Sequence, residues 1–133
     1  MVHKISVIIP SYNESKTLIE TLEKVNKQNS NDFNLEVIFV NDGSTDNTHE
    51  LISSNKKLVD KYIKLENNSG KGAAVREALS VASGEYIIFQ DADLEYNPYE
   101  YRKFFNIIKN YSPDLVIGSR FLGSDFTKVM YFW

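Results

Sequence analysis

The chain has 133 residues, 42% of them hydrophobic and 25% charged, which excludes disorder and collagen-like repeats and suits a single domain, residues 1–133, with its own core. It has no cysteine, which excludes disulfide scaffolds, Cys-ligated zinc, iron–sulfur clusters and thiol catalysis. Its net charge of −3 lacks the basic excess of a nucleic-acid binder, and no apolar run nears the roughly 20 residues of a membrane span, so the expectation is a soluble, cytoplasmic chain with no nucleic-acid partner.

Residues 5–9 form a β-branched run that reads as a buried parallel strand, followed by Pro10-Ser-Tyr-Asn-Glu14. Residues 15–29 carry Leu18, Leu22 and Val25 at helical spacing, with Ser15 as N-cap. A second strand, 35–40, leads into Asn41-Asp-Gly-Ser-Thr-Asp46 and a helix over 45–58. A third strand, 62–65, leads into Asn67-Asn-Ser-Gly-Lys-Gly72 and an Ala-rich helix over 72–82. The fourth, 86–89, reads as buried on both faces and ends in Gln90-Asp-Ala-Asp93. Asn97 then caps a helix over 98–110 with Pro98 in its first position. Residues 115–117 read as a fifth strand, followed by Gly118-Ser-Arg120. This alternation predicts an α/β fold, a mainly parallel open sheet with helices on both faces. The polar segments after the strands should converge on one rim, where such sheets bind ligands.

Asp91 and Asp93 carry the most chemistry. Residues i and i+2 of extended chain project to the same side, so both carboxylates point together at the rim. Like charges that close need a cation or a shared proton. Hard oxygen donors suit Mg²⁺ or Mn²⁺, and His3 and His49 alone make no soft-metal set. The same pair also reads as a loop with a helix cap. Asp42 reads locally as part of a turn, with Ser44, Thr45 and Asp46 as caps. Its functional reading is an acceptor for a ligand N–H, such as the imide of uracil or the amino edge of guanine.

Ser69-Gly-Lys-Gly72 fails the phosphate-loop pattern, because Leu65 stands in place of its first Gly and Gly72 in place of Ser or Thr. A helix entry remains, with Lys71 available to an anion. Pro10 ends a strand and Tyr12 can stack on a base. Glu14 is a charged anchor or part of a first helical turn. Arg120 suits a bidentate phosphate contact or a surface ion pair.

Val7-Ile-Ile-Pro-Ser-Tyr-Asn-Glu14, Val40-Asn-Asp-Gly-Ser-Thr-Asp46, Asn68-Ser-Gly-Lys-Gly72, Gln90-Asp-Ala-Asp-Leu94 and Gly118-Ser-Arg-Phe121 together resemble, in order, family 2 glycosyltransferases of the GT-A fold. Asp93-Leu-Glu-Tyr-Asn-Pro98 and Gly118-Ser-Arg-Phe-Leu-Gly123 look most like polyprenyl-phosphate glycosyltransferases of the dolichol-phosphate mannose synthase type. The resemblance implies an inverting, metal-dependent hexosyltransferase. Its donor would be a UDP- or GDP-linked sugar, with UDP favoured, and its acceptor a polyprenyl phosphate at the cytoplasmic face of a membrane. Asp42 would read the base, and Pro10, Tyr12 and Glu14 would form the nucleotide pocket with Lys71 and Asp91. Asp91 and Asp93 would hold Mg²⁺ or Mn²⁺, with Glu95 standing where many relatives have Gln. Asp93 and Arg120 would carry the catalytic roles, Arg120 on a phosphate.

Two other readings stand beside this one. The first is a family 2 enzyme acting on a saccharide hydroxyl in surface-polysaccharide synthesis. The second is a non-catalytic nucleotide-binding module. A phosphate acceptor is already an anion and needs no general base, consistent with the lack of a His at the rim. A hydroxyl acceptor needs a carboxylate, and after Arg120 only Asp125 supplies one.

Catalytic domains of this family continue well past the position of Trp133. The chain is therefore expected to be cut short on its acceptor side and inactive alone, with membrane association through the parts beyond. Val129-Met-Tyr-Phe-Trp133 is expected to pack on such a part or on a second copy of the chain.

Overall fold

The computed structural model describes residues 1–118. Strand β1 (His3–Ser11) pairs in parallel with β2 (Phe33–Asn41), from His3 opposite Phe33 to Ser11 opposite Asn41. Strand β3 (Lys61–Lys64) joins β2, and β4 (Tyr86–Phe89) joins the other side of β1. The order is β3-β2-β1-β4, all parallel. Helices α1 (Ser15–Asn26), α2 (Thr48–Ser54) and α3 (Lys71–Val81) form the crossovers, and α4 (Tyr101–Tyr111) follows β4. This is the α/β architecture expected from the alternating pattern.

Crossovers through helices cover both faces of a parallel sheet, so its central strands are apolar on both faces rather than alternating, with Ser6 and Glu36 as buried polar exceptions. Ile5, Val7, Ile8, Ile9, Val37, Ile38, Phe39 and Val40 are fully buried. On one face Ile8, Ile38 and Val40 pack with Ala74 and Ala78 of α3, flanked by Ile63 and Ile87. On the other face Phe39 stacks on Tyr62, and His49 of α2 stacks on Tyr62 in turn. Helix α1 packs on α2 and β2 there, burying Leu18, Leu22 and Val25.

At the amino ends of the strands, Glu36 is buried among donors. Ser6 Oγ donates to it at 2.6 Å, Ser83 N–H at 2.9 Å and Ser83 Oγ at 2.7 Å. The ammonium groups of Lys4 and Lys61 lie at 3.2 and 2.9 Å. Burial by itself would raise the pKa of this carboxyl. The hydrogen bonds from Ser6, Ser83 and Lys61 outweigh it and hold the group far below the ordinary value of 4.5.

Four expectations need correction. Ser15 is the first residue of α1 rather than its N-cap, which is Glu14 with no side-chain capping bond. Residues 115–117 are not a strand: Leu115 and Ile117 are exposed, and the sheet has four strands among the described residues. An apolar run becomes a strand only when a neighbour completes its ladder. Strand β4 is not buried on both faces, and Phe89 is 59% exposed. It lies at the edge of the described sheet, so its apolar run does not imply two covered faces. The helix expected over 45–58 is shorter, with Thr48–Ser54 α-helical and Lys56–Leu58 a 3₁₀ turn. Its expected first residues serve the turn after β2 instead.

The chain divides into two compact units, Met1–Arg102 and Lys103–Trp133. The sheet belongs to the first. The described part of the second holds most of α4 and irregular backbone up to Gly118, where a Cβ would stand 3.3 Å from the Phe104 ring. Arg120 and the aromatic segment 129–133 lie outside the described residues.

Candidate functional site

A cavity of about 300 Å³ opens within the first unit, at the carboxyl ends of the strands. The passage from β1 to α1 contributes Pro10, Ser11, Tyr12 and Glu14. Asp42 comes from the end of β2 and Lys71 from the start of α3. Asp91, Ala92 and Asp93 come from the segment after β4. Every candidate named from the sequence within residues 1–118 lines this cavity except Glu95. Ser11 and Ala92 were not anticipated, because a small residue after a strand carries no local signal.

The walls are fixed by hydrogen bonds that reach far along the chain. The buried Asp42 carboxylate accepts the backbone N–H of Ser69 at 2.8 Å and of Gly70 at 2.9 Å. Gly43 makes that approach possible. Its φ is +67°, and a Cβ would fall 2.4 Å from the Asn67 carbonyl carbon. Asn13, itself at φ +54°, accepts the N–H of Thr45 at 2.8 Å and of Asp46 at 3.3 Å. Asp46 accepts from Ser15 N–H and from both N–H and Oγ of Thr48. Burial would raise the Asp46 pKa, but these bonds hold it below 3.8. Asp46 thereby joins the start of α1 to the start of α2.

The Asp91–Asp93 segment is held from two sides. The carbonyl of Ala92 accepts the hydroxyls of Thr17 and Thr21 of α1. Gln90 is buried. Its Nε2 donates to the carbonyls of Asp91 and Tyr96, both at 3.0 Å, and its Oε1 accepts from Tyr101 OH at 2.7 Å. Burial pushes the Tyr101 hydroxyl pKa up, so it acts as a donor throughout the ordinary pH range. These supports fix the backbone from which Asp91 and Asp93 line the cavity.

His49 of α2 is half-buried and partnered. Its Nδ1 lies 2.8 Å from Tyr62 OH, which also accepts from Asn41 Nδ2 at 3.2 Å. Asn41 Oδ1 in turn accepts Ser44 N–H at 2.9 Å, so this chain braces the turn that carries Asp42.

Two features suit an anionic ligand with a cation. Ser11 lines the cavity, and its hydroxyl, closed off from solvent, has no hydrogen-bond partner among the described residues. A buried hydroxyl of this kind is costly unless something completes it. Asp91 Oδ1 already holds a cation, the Lys71 ammonium at 2.5 Å. Asp93 Oδ1 accepts the Glu95 N–H at 3.0 Å, while Glu95 does not line the cavity. Among the described residues no three acidic or His side chains gather as a metal cluster. Two carboxylates fit a Mg²⁺ or Mn²⁺ ion whose remaining shell comes from a phosphate ligand and water.

The sequence matches the family described as glycosyl transferase family 2 over residues 6–131. It is 36% identical over 120 residues to a dolichol-phosphate mannosyltransferase of Pyrococcus furiosus, covering 90% of this chain and 34% of that protein. It is 31% identical over 118 residues to a poly(ribitol-phosphate) beta-glucosyltransferase of Bacillus spizizenii, covering 86% of this chain and 19% of that protein. Among solved structures it resembles the mannosyltransferase PcManGT from Pyrobaculum calidifontis in complex with GDP-Man and Mn²⁺. That match has a TM-score of 0.61 and 30% identity, and covers 70% of this chain and 28% of that one. The chain thus spans between 19% and 34% of the length of these proteins. With the family pattern running over nearly its whole length and the parallel α/β sheet beneath it, the chain belongs to glycosyl transferase family 2.

Proposed function

We propose that this cavity binds a nucleoside diphosphate sugar, UDP- or GDP-linked, and forms the donor half of an inverting hexosyltransferase. The observation that carries the reading is the gathering of Asp42, Lys71, Asp91 and Asp93 in one cavity. Asp42, anchored by Ser69 and Gly70, accepts the N–H edge of the base. Tyr12 and Pro10 flank it, and Glu14 stands at the same wall. Lys71 contacts the diphosphate. Asp91 and Asp93 hold a Mg²⁺ or Mn²⁺ ion, which when bound offsets the charge gathering on the leaving diphosphate. Arg120 is assigned to a phosphate by its place in the family motif.

The acceptor we favour is a polyprenyl phosphate, which places the reaction at the cytoplasmic face of a membrane. Its phosphate oxygen forms the new bond to the sugar's anomeric carbon as the bond from that carbon to the diphosphate oxygen breaks, inverting the centre. The nucleoside diphosphate leaves with the electron pair, and no side chain need remove a proton. The similarity to a dolichol-phosphate mannosyltransferase supports this choice. The similarity to a poly(ribitol-phosphate) glucosyltransferase favours the second reading, a polymer hydroxyl as acceptor.

The test is transfer from a panel of UDP- and GDP-hexoses with Mn²⁺, offered a short polyprenyl phosphate or poly(ribitol phosphate), using the chain in its natural full-length protein. A glycosyl polyprenyl phosphate product supports the proposal. A glycosylated ribitol polymer selects the second reading. Tight nucleotide binding with neither product leaves a binding module and contradicts both.

A further inference from the structure

We propose that Lys71 is a resident counter-ion of Asp91 that competes with the divalent cation for that carboxylate, so that the cation enters as the diphosphate draws the ammonium away. The proposal rests on the reading of the cavity as a nucleoside diphosphate and cation site.

Lys71 is the first residue of α3, an 11-residue helix. A cation there opposes the helix macrodipole, whose amino end favours negative charge. Helix stability therefore gives no reason for Lys at this position. Its backbone is held in place because the preceding Gly70 N–H is bonded to Asp42. From that fixed root the long side chain reaches Asp91 Oδ1 at 2.5 Å across the cavity wall.

The pair is open to solvent, with side-chain exposures of 63% for Lys71 and 31% for Asp91. An exposed ion pair of this kind is weak and easily exchanged. Asp91 is also a carboxylate that the cation requires. A divalent cation on either oxygen of Asp91 would stand within a few ångströms of the ammonium on Oδ1, and the like charges repel. The diphosphate resolves the conflict, because it attracts the ammonium and supplies oxygen ligands to the metal. Nucleotide and cation then strengthen each other's binding by one common factor, part of which is the release of Lys71 from Asp91.

A Lys71 that served only as a phosphate anchor would behave differently. Its loss would weaken nucleotide binding and leave the affinity for metal alone unchanged. Competition predicts the opposite sign for the metal. The experiment measures Mn²⁺ binding by electron paramagnetic resonance, with Mn²⁺ alone and with saturating UDP or GDP. It compares wild type, Lys71→Met, Lys71→Gln and Lys71→Arg, with circular dichroism as the folding control. The exposure of Lys71 makes all three variants compatible with folding.

The proposal predicts that Lys71→Met and Lys71→Gln bind Mn²⁺ alone about fivefold or more tightly than wild type. Lys71→Arg should stay near wild type. The factor by which nucleotide enhances Mn²⁺ binding should shrink in the Met and Gln variants. Unchanged or weaker binding of Mn²⁺ alone by both neutral variants overturns the proposal, if wild type still binds nucleotide in a Mn²⁺-dependent way. If wild-type nucleotide binding is indifferent to Mn²⁺, the reading of the site fails, and the proposal with it.

Discussion

The carboxylate of Asp42 accepts the backbone N–H of Gly70 at 2.9 Å, across 28 residues of chain. One side chain thus ties the end of β2 to the start of α3 and fixes the residue that precedes Lys71. Asp42 holds the loop that presents Lys71, and under the proposed function it also reads the base.

Replacing it should therefore have two effects. Asp42→Ala should weaken UDP or GDP binding about ten- to a hundredfold, the equivalent of about 1.5–3 kcal/mol for hydrogen bonds to a charged group. It should also lower the unfolding midpoint, because Ser69 N–H loses its acceptor and Gly70 N–H keeps only the longer bond to Asn68 Oδ1 at 3.2 Å. Calorimetry and thermal unfolding report the two separately. Wild-type affinity in the variant removes Asp42 from the nucleotide site.

Tyr101 acts on the carboxylate pair through Gln90. Tyr101→Phe leaves the buried Gln90 Oε1 without its donor and should cost about 1–3 kcal/mol of stability. It should reduce nucleotide affinity in Mn²⁺ more than in EDTA, since Gln90 holds the Asp91 carbonyl. An equal loss in both conditions would show that the Tyr101–Gln90 bond is structural only.

Acid should expose the contribution of Glu36. The folded chain holds its carboxyl below the ordinary 4.5. The ionised group therefore adds stability that is complete above its unfolded pKa and is lost as pH falls toward its folded one. Glu36→Gln should be less stable than wild type by about 1.5–3 kcal/mol at neutral pH. The gap should narrow below about pH 4.5. A gap that stays constant from pH 7 to pH 3 contradicts this role.

Much of this fold is legible in the sequence because its central strands are apolar on both faces apart from Ser6 and Glu36, which fits a sheet covered on both faces. Asp91 and Asp93 stood out as candidates because they come just after the apolar run 86–89, although that run proved to be an edge strand with Phe89 exposed. Local chemistry could not show that Asp42 binds the 69–70 backbone, because that contact depends on how the β2 end and the α3 start meet in space. Ser11 was hidden for the same reason: a serine after Pro10 has no signature until its hydroxyl is found buried without a partner. The 115–117 run failed as a strand because hydrophobicity alone does not supply a ladder partner.

The most direct test of the site is UDP and GDP affinity measured in Mn²⁺ and in EDTA, for wild type and for Asp93→Asn. Two carboxylates supply only part of an octahedral shell, so cation and diphosphate should each raise the affinity for the other. Wild type should bind at least one nucleotide more tightly in Mn²⁺, and Asp93→Asn should lose that gain while keeping the affinity seen in EDTA. Wild-type affinity for both nucleotides that is the same in Mn²⁺ and EDTA would contradict the role assigned to Asp91 and Asp93.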